Sequence, residues 1–583
     1  MKHTLRFAQA AAAACLGAAL CWPAIGQAAP GAGPGPGNYD ENVIFHPAYA
    51  RHGMVSSEHH LATRAGVEIL RGGGNAVDAA VAVGFALAVV LPNAGNLGGG
   101  GFMLLHDARQ GRQLALDFRE RAPAAASANM FLDAGGEVVP GASLDTHLAV
   151  GVPGTVAGLF KAHAEHGRLP MARLIAPAIR LAERGFVVSH ELAGLLRLHR
   201  DRLARWPGSR AVFFRHGEPL AAGDTLTQPD LARVLRLLSR HGADAFYRGG
   251  IGDQIVAEMR RHGGRLAKAD LLDYRVVARP PVTADYRGYQ VVSMPPPSSG
   301  GVHLVQMLNI LSGYPLAEYG AGSSRALHVM AEAMKLAYAD RSKYLGDPDF
   351  VQVPVPALVS ARYADQLRAG VDPARARPAA SIAPGVVLPY ESSQTTHYSV
   401  CDQQGNAVSV TYTLNTDFGS GIVATGTGIL LNNEMDDFSA KPGVPNAYGL
   451  VGGQANAVEA GKRPLSSMTP TMLLKDGKVF LVTGSPGGSR IITSTLQTIV
   501  NVVDHRMNPA EAAAMPRIHH QWQPDELRVE KGLSNDTLDL LRQKGHHVVV
   551  KPVIGKTQTI QVVPEGFLGY SDPRSLDGAA AGY

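Results

Sequence analysis

Gln394-Thr395-Thr396-His397-Tyr398-Ser399 sets two adjacent threonines at the head of a β-branched and aromatic run that continues to Cys401. Asp402-Gln403-Gln404-Gly405-Asn406 has turn composition, and Ala407 to Thr413 is a second strand-forming run, so the segment predicts a β-hairpin. Folding about Gln404 sets Thr395 opposite Thr413. Opposed residues of an antiparallel pair hold their Cβ atoms about 4.5–5.5 Å apart. Two hydroxyls would then lie side by side where the hairpin opens. A threonine whose own freed α-amine is the base is a recognised nucleophile. Thr395 is therefore the candidate.

A second hairpin, Met472–Leu474 and Val479–Thr483, is turned at Asp476-Gly477, and its register aims Ser466 and Ser467 at Pro486-Gly487. Thr483-Gly484-Ser485-Pro486-Gly487-Gly488-Ser489-Arg490 then enters a helix expected over Ile491–Asp504. Consecutive glycine N–H groups at a helix start can hold an anion. Alone, the turn reads equally as an ordinary tight turn; beside a threonine nucleophile, Gly487 and Gly488 read as an oxyanion hole.

Upstream, Asn75 and Asp78 open a small-residue helix expected over Ala76–Leu91 and stopped by Pro92. Its length and its carboxylate suit a buried core helix better than a membrane span. The glycine-rich stretch Asn93–Gly101 leads into a hairpin, Phe102–His106 with Gln113–Arg119. Thr146 to Tyr314 reads as helical, for example over Pro153–His166 and Met171–Arg184, and strands such as Gly428–Leu431 follow Leu388. The expected fold is α+β: one body with helices stacked on a pair of central antiparallel sheets.

The chain has 583 residues, 45% hydrophobic and 18% charged, enough for a large core. Residues 1–28 read as a signal peptide: Lys2 and Arg6, an Ala/Leu-rich run to Leu20, then Gly26-Gln27-Ala28. Losing Lys2 and Arg6 lowers the net charge from +5 to +3, which is no footprint for nucleic acid. Only Cys401 remains after cleavage, so no intrachain disulfide can form, and the expected location is periplasmic or secreted. Ala29–Asn38, rich in Gly and Pro, reads as a disordered mature N-terminus. The tandem pairs His59-His60 and His519-His520 do not share a helix face, and no H-E-x-x-H or paired C-x-x-C occurs. Neither a catalytic metal nor a cofactor is expected.

Gln394–Ser399, Thr413-Leu414-Asn415, Asn432-Asn433-Glu434-Met435-Asp436-Asp437-Phe438, Pro464-Leu465-Ser466-Ser467-Met468 and Gly484–Arg490 together resemble the γ-glutamyltranspeptidase (glutathione hydrolase) family, bacterial periplasmic branch. Asn96–Gly101, Asp117–Glu120 and Pro295–Gly301 match as well, and the resemblance runs from about His52 to Tyr583. It implies an N-terminal-nucleophile hydrolase with a four-layer αββα fold. One precursor would cut itself between Gln394 and Thr395 into a large subunit, 29–394, and a small subunit, 395–583, that stay together. The implied reaction takes a γ-glutamyl group from glutathione or a related donor, through an ester on Thr395, to water or to an amino-acid or dipeptide acceptor.

The resemblance also distributes roles. Thr413 would orient Thr395, and Gly487 and Gly488 would supply the oxyanion N–H groups. Arg119 would grip the donor α-carboxylate, where a guanidinium fork suits a planar anion, with Ser466 and Ser467 beside it. Asn415, Glu434 and Asp437 would surround the α-ammonium; Glu434 stands where some members carry glutamine. Tyr448 matches the aromatic tip of a lid. Two alternatives stand against this reading: a related acylase of glutaryl or cephalosporin type, and a periplasmic solute-binding protein with a decayed site. Arg119, Ser466-Ser467 and the lid favour the transpeptidase over the first. The intact Thr395, Thr413, Gly487 and Gly488 speak against the second.

Overall fold

The computed structural model describes residues 42–382, 395–441 and 453–583. The expected signal peptide, the Ala29–Asn38 segment, Gln394 and Tyr448 lie outside these residues. Val43–Tyr583 forms one unit built on two seven-stranded sheets. The first runs, in spatial order, Ala579–Gly582, Gly53–Ser57, Thr396–Asp402, Ala407–Thr413, Gly100–Asp107, Arg112–Phe118 and Val277–Arg279. The second runs Ala48–Ala50, Gly566–Ser571, Gln558–Val563, Lys478–Thr483, Thr471–Lys475, Tyr289–Ser293 and Val282–Tyr286. Neighbours in both are antiparallel.

The sheets face each other across Met54, Phe102, Leu104, Val292, Met472, Val482 and Ile560. The outer face of the first sheet carries Val55, Met103, Val400 and Val410 against helices that include Ala76–Val90 and Thr155–His166. That of the second carries Val291, Leu473 and Leu481 against Gly300–Leu311, Ser324–Tyr344 and Arg490–Val503. The layers are therefore αββα.

Ala76–Val90 is wholly buried, and Asn75 caps it as expected: its side chain accepts from Asp78 N at 2.9 Å while Asp78 Oδ2 accepts from Asn75 N at 3.0 Å. Burying each large apolar side chain here contributes roughly 1.5–3 kcal/mol. No helix among the described residues is long and apolar enough to cross a membrane.

The first hairpin keeps the expected register, from Thr396↔Tyr412 to Cys401↔Ala407. The second does not keep it throughout. Lys475↔Lys478 and Leu474↔Val479 fit, but an irregularity between Leu473 and Leu474 shifts the ladder by one, giving Thr471↔Thr483. The ladder ends there, so the register does not carry Ser466 and Ser467 to Pro486-Gly487. Ser466 instead bridges Ser298, and its N–H donates to Pro297 O at 2.9 Å. The expected helical stretch Thr146–Tyr314 also holds three strands of the two large sheets, Val277–Arg279, Val282–Tyr286 and Tyr289–Ser293, besides four short strands in two-stranded sheets. The turn between the last two puts Arg287 at φ 51° and Gly288 at φ 82°, a hairpin turn without the usual Asn or Asp signal.

Candidate active site

Side chains alternate along a strand, so His397 and Ser399 share the inter-sheet face with Thr411 and Ser409 opposite, and continuing the register one residue past the Thr396↔Tyr412 pair sets Thr395 and Thr413 on the same face. The row is polar, and His397, Thr411, Ser399 and Ser409 all find partners there. His397 Nδ1 lies 2.9 Å from Thr411 Oγ1, and its Nε2 lies 3.2 Å from Ser399 Oγ. Ser399 Oγ donates to Gln558 O at 3.0 Å and Ser409 Oγ to Thr483 O at 3.3 Å, across to the second sheet. Burial lowers the His397 pKa to about 3, so the ring is a neutral hydrogen-bonding spacer at neutral pH.

The chain after Thr483 follows this row toward its Thr395 end. Gly484 lies on His397: a Cβ there would sit 2.4 Å from the ring, so only glycine lets the second sheet close. Gly487 (φ 129°) and Gly488 (φ 59°) then turn the backbone through the left-handed region into Arg490–Val503. Thr395 is 6% exposed and Thr413 2%. Thr413 Oγ1 accepts from Asn415 N at 2.8 Å, with Asn415 itself at φ 81°.

Arg119 follows the strand that ends at Phe118, where Gly101 pairs with both Tyr412 and Phe118. Thr395, Thr413, Gly100 and Arg119 therefore fall in one cross-strand row. Its ends are three strand spacings apart, about 14 Å. The Arg119 guanidinium is buried and ion-paired with Glu434 and Asp437, with Glu120 at 3.7 Å; its Nε also donates to Pro464 O at 3.2 Å. The two groups assigned to opposite ends of an amino-acid donor thus form one cluster. Burial pulls the Arg119 pKa down, but the Glu434, Asp437 and Glu120 charges outweigh it and hold it above the ordinary value.

Three carboxyls around one guanidinium cannot all ionise cheaply. Burial raises Glu120 to about 7 and Glu434 well above its usual range, each against the pull of Arg119. Neither Glu120 oxygen nor Glu434 Oε2 has a donor among the described residues, and the two carboxyls lie against each other. One proton shared between them would give Glu434 Oε2 and one Glu120 oxygen a partner.

Asn432 locks the Glu434 turn in place. Its Nδ2 donates to Gly98 O at 2.7 Å and Gly151 O at 2.9 Å, while its Oδ1 accepts from Gly151 N and Glu434 N. Gly98 permits the approach, since a Cβ there would lie 2.1 Å from Leu430 O. Asn415 Nδ2 donates to Asn433 O at 2.9 Å, tying the hairpin to the same turn.

Ser466 and Ser467 are buried beside Arg119, and Leu465 O accepts from Arg119 Nη2 at 3.3 Å. Ser299 donates to Ser466 O through both its N–H and its hydroxyl, each at 2.8 Å. This accounts for the Pro295–Gly301 match. Sequence reasoning missed Arg341, which donates to Ser467 Oγ and Ser299 Oγ, both at 2.9 Å. It also gave no part to Glu120 and missed Glu58, a buried carboxyl that accepts from His397 N at 3.1 Å. Burial raises Glu58 to about 7 against the pull of Lys556.

Two seven-stranded antiparallel sheets between helical layers, with a threonine at the mouth of a central strand, define an N-terminal-nucleophile hydrolase. The γ-glutamyltranspeptidase family model matches residues 62–583, and the chain belongs to that family. The glutathione hydrolase proenzyme of Escherichia coli (strain K12) is 57% identical over 545 residues, 93% of this chain and 94% of the relative. Among solved structures, a cephalosporin acylase from Bacillus halodurans matches with a TM-score of 0.82 at 30% identity, covering 94% of this chain and 99% of that one. The γ-glutamyltranspeptidase of Helicobacter pylori matches at 0.57 and 45% identity over 59% of this chain and 97% of that one.

Proposed function

We propose that this protein transfers the γ-glutamyl group of glutathione and related donors to water or to an amine acceptor. The observation that carries the reading is the Arg119–Glu120–Glu434–Asp437 cluster on the same cross-strand row as Thr395. An α-amino acid end is a zwitterion, and the cluster offers it both signs of charge. The donor carboxylate takes the Arg119 fork, with Ser466 and Ser467 alongside, and the donor ammonium replaces Arg119 against Glu434 and Asp437, near Asn415. No buried charge is left without a partner.

Cleavage between Gln394 and Thr395 frees an α-amine whose reference pKa is near 8, a usable base at neutral pH. The amine takes the Thr395 hydroxyl proton as Oγ attacks the γ-carbonyl. The Gly487 and Gly488 N–H groups hold the oxyanion. Thr413 Oγ1 accepts from Asn415 N, and in this reading its hydroxyl hydrogen goes to Thr395 Oγ. Collapse passes the proton to the departing amine and leaves a γ-glutamyl ester on Thr395, which water or an acceptor amine then cleaves. The resulting chains, 29–394 and 395–583, stay associated because Thr396–Asp402 pairs with Gly53–Ser57 from the other chain. Tyr448 serves as the lid, and the signal peptide directs export to the periplasm. An acylase reading draws on the Bacillus halodurans likeness, but glutaryl and cephalosporin side chains offer the carboxylates no ammonium.

Purified protein is expected as two chains of roughly 39 and 20 kDa, the smaller beginning at Thr395. It should release the free aniline from a chromogenic γ-glutamyl anilide, faster with glycylglycine. Active protein that is uncut, or cut protein that spares γ-glutamyl anilides, would overturn the proposal.

A further inference from the structure

Away from the substrate cluster, His147, Glu258 and His262 bring three ligand atoms within 4.8 Å of one another. Glu258 stands near the end of the helix Gly250–Arg261, and His262 caps it one turn later. His147 opens the short turn His147–Ala149, more than a hundred residues earlier. Glu258 Oε1 lies 3.5 Å from His147 Nε2 and 3.4 Å from His262 Nε2. Its other oxygen faces Arg261 at 3.0 Å and Thr425 N at 3.4 Å, so Oε1 is the atom turned toward the imidazoles.

His147 is 2% exposed, and its Nε2 has no hydrogen-bond partner among the described residues. A buried imidazole nitrogen left without a bond is costly. The Trp206 ring packs edge-on against His147 at 4.8 Å and against His262 at 5.5 Å, walling one side. The His262 side chain is 39% exposed and gives the site a mouth to solvent.

We propose that His147, Glu258 and His262 form a divalent transition-metal site, with Zn²⁺ as its simplest occupant and water in the fourth position. In a tetrahedral site with bonds of about 2.0–2.1 Å, neighbouring ligand atoms stand ~3.3 Å apart. The two His-to-Glu258 separations already match that edge. The third edge, between the two imidazoles, is within 4.8 Å, with the rings stacked at a centroid distance of 4.5 Å. Two imidazoles and a carboxylate suit a borderline ion rather than Mg²⁺ or Ca²⁺. The ion would pin the His147 turn to the Gly250–Arg261 helix. That turn follows Ser143, whose Oγ donates to Asp436 Oδ1 at 2.5 Å, so the site braces the outer wall of the substrate cluster without touching substrate. The other buried group of this kind, His328–Glu332–His546, already has the Lys335 ammonium 2.6 Å from its carboxylate and does not open to solvent.

The test is calorimetric titration of the processed, chelator-stripped protein with Zn²⁺ alone, alongside His262→Asn and Glu258→Gln. Wild-type protein is expected to bind Zn²⁺ saturably and to melt at higher temperature with it. His262→Asn changes a surface side chain outside the substrate cluster; it should keep its metal-free melting temperature and its γ-glutamyl anilide turnover. It should lose one equivalent of Zn²⁺ or bind it at least tenfold more weakly, since even outer-shell changes cost 10–100-fold. Glu258→Gln should lose the same equivalent. Absence of saturable binding to wild-type protein, or unchanged stoichiometry and affinity in His262→Asn, would overturn the proposal.

Discussion

Replacing Arg119 with alanine leaves three carboxyls facing a cavity where a guanidinium stood. The Arg119 and Glu434 side chains are each 1% exposed, and removing one partner of a buried pair costs ~3–5 kcal/mol. The Asp437 side chain, at 16%, is partly solvated and adds little. The carboxyls answer by binding protons. Glu120 stands at about 7 with Arg119 lowering it, so without Arg119 it rises further. A carboxyl raised in the folded state binds more protons there than in the unfolded chain between pH ~4.5 and its folded value, so stability falls as pH rises through that window. Arg119→Ala should therefore be ~3–4 kcal/mol less stable than wild type at pH 7.5 and distinctly closer to it at pH 5.5, by urea midpoint. Its kcat/KM on a γ-glutamyl anilide should drop ~10³-fold or more, with Arg119→Lys intermediate because the ammonium lacks the fork. A turnover within threefold of wild type, or a stability loss that does not shrink on acidification, would defeat this account of the cluster.

Thr413→Ala keeps Thr395 but removes the hydroxyl proposed to orient it, and should slow both precursor cleavage and turnover by a factor equivalent to ~2–4 kcal/mol; gel analysis of processing and initial rates will check it. Wild-type protein should prefer γ-glutamyl to glutaryl anilides by up to ~10⁴ in kcat/KM, because glutaryl leaves Glu434 and Asp437 without an ammonium; comparable rates would restore the acylase reading. Arg341→Met releases Ser467 and Ser299 and should raise KM for the donor more than it lowers kcat, which a full Michaelis–Menten comparison separates. Glu58→Gln removes a carboxyl raised from 4.5 to about 7, so relative to wild type it should gain stability as pH rises from 5 to 8, measured as the shift in urea midpoint.

The nucleophile hairpin was legible because strand period and turn composition both pointed to one register, and Thr396↔Tyr412 follows from folding about Gln404. The second hairpin had the same kind of signal, yet its local shift between Leu473 and Leu474 left no trace in composition. Strand Gly53–Ser57, glycine and serine at three of five positions, has little β-propensity and exists because Thr396–Asp402 needs a neighbour. Motif by motif, the sequence supplied Arg119, Glu434, Asp437 and the serines, but as two separate half-sites. That they are one cluster, with Glu120 inside it and Arg341 bracing it from 126 residues away, is a fact of tertiary burial.

That clustering bears on Glu434. A glutamine there could pair with Arg119 but could not share a proton with Glu120. A glutamate adds an acceptor whose charge depends on what Arg119 is doing. On the proposed reading, a donor carboxylate that engages Arg119 brings the donor ammonium to the carboxyl pair in the same step, so a proton shared by the pair need not leave. A zwitterion then supplies a partner for each sign of charge in the cluster, and a donor lacking the ammonium would leave Glu434 and Asp437 without one.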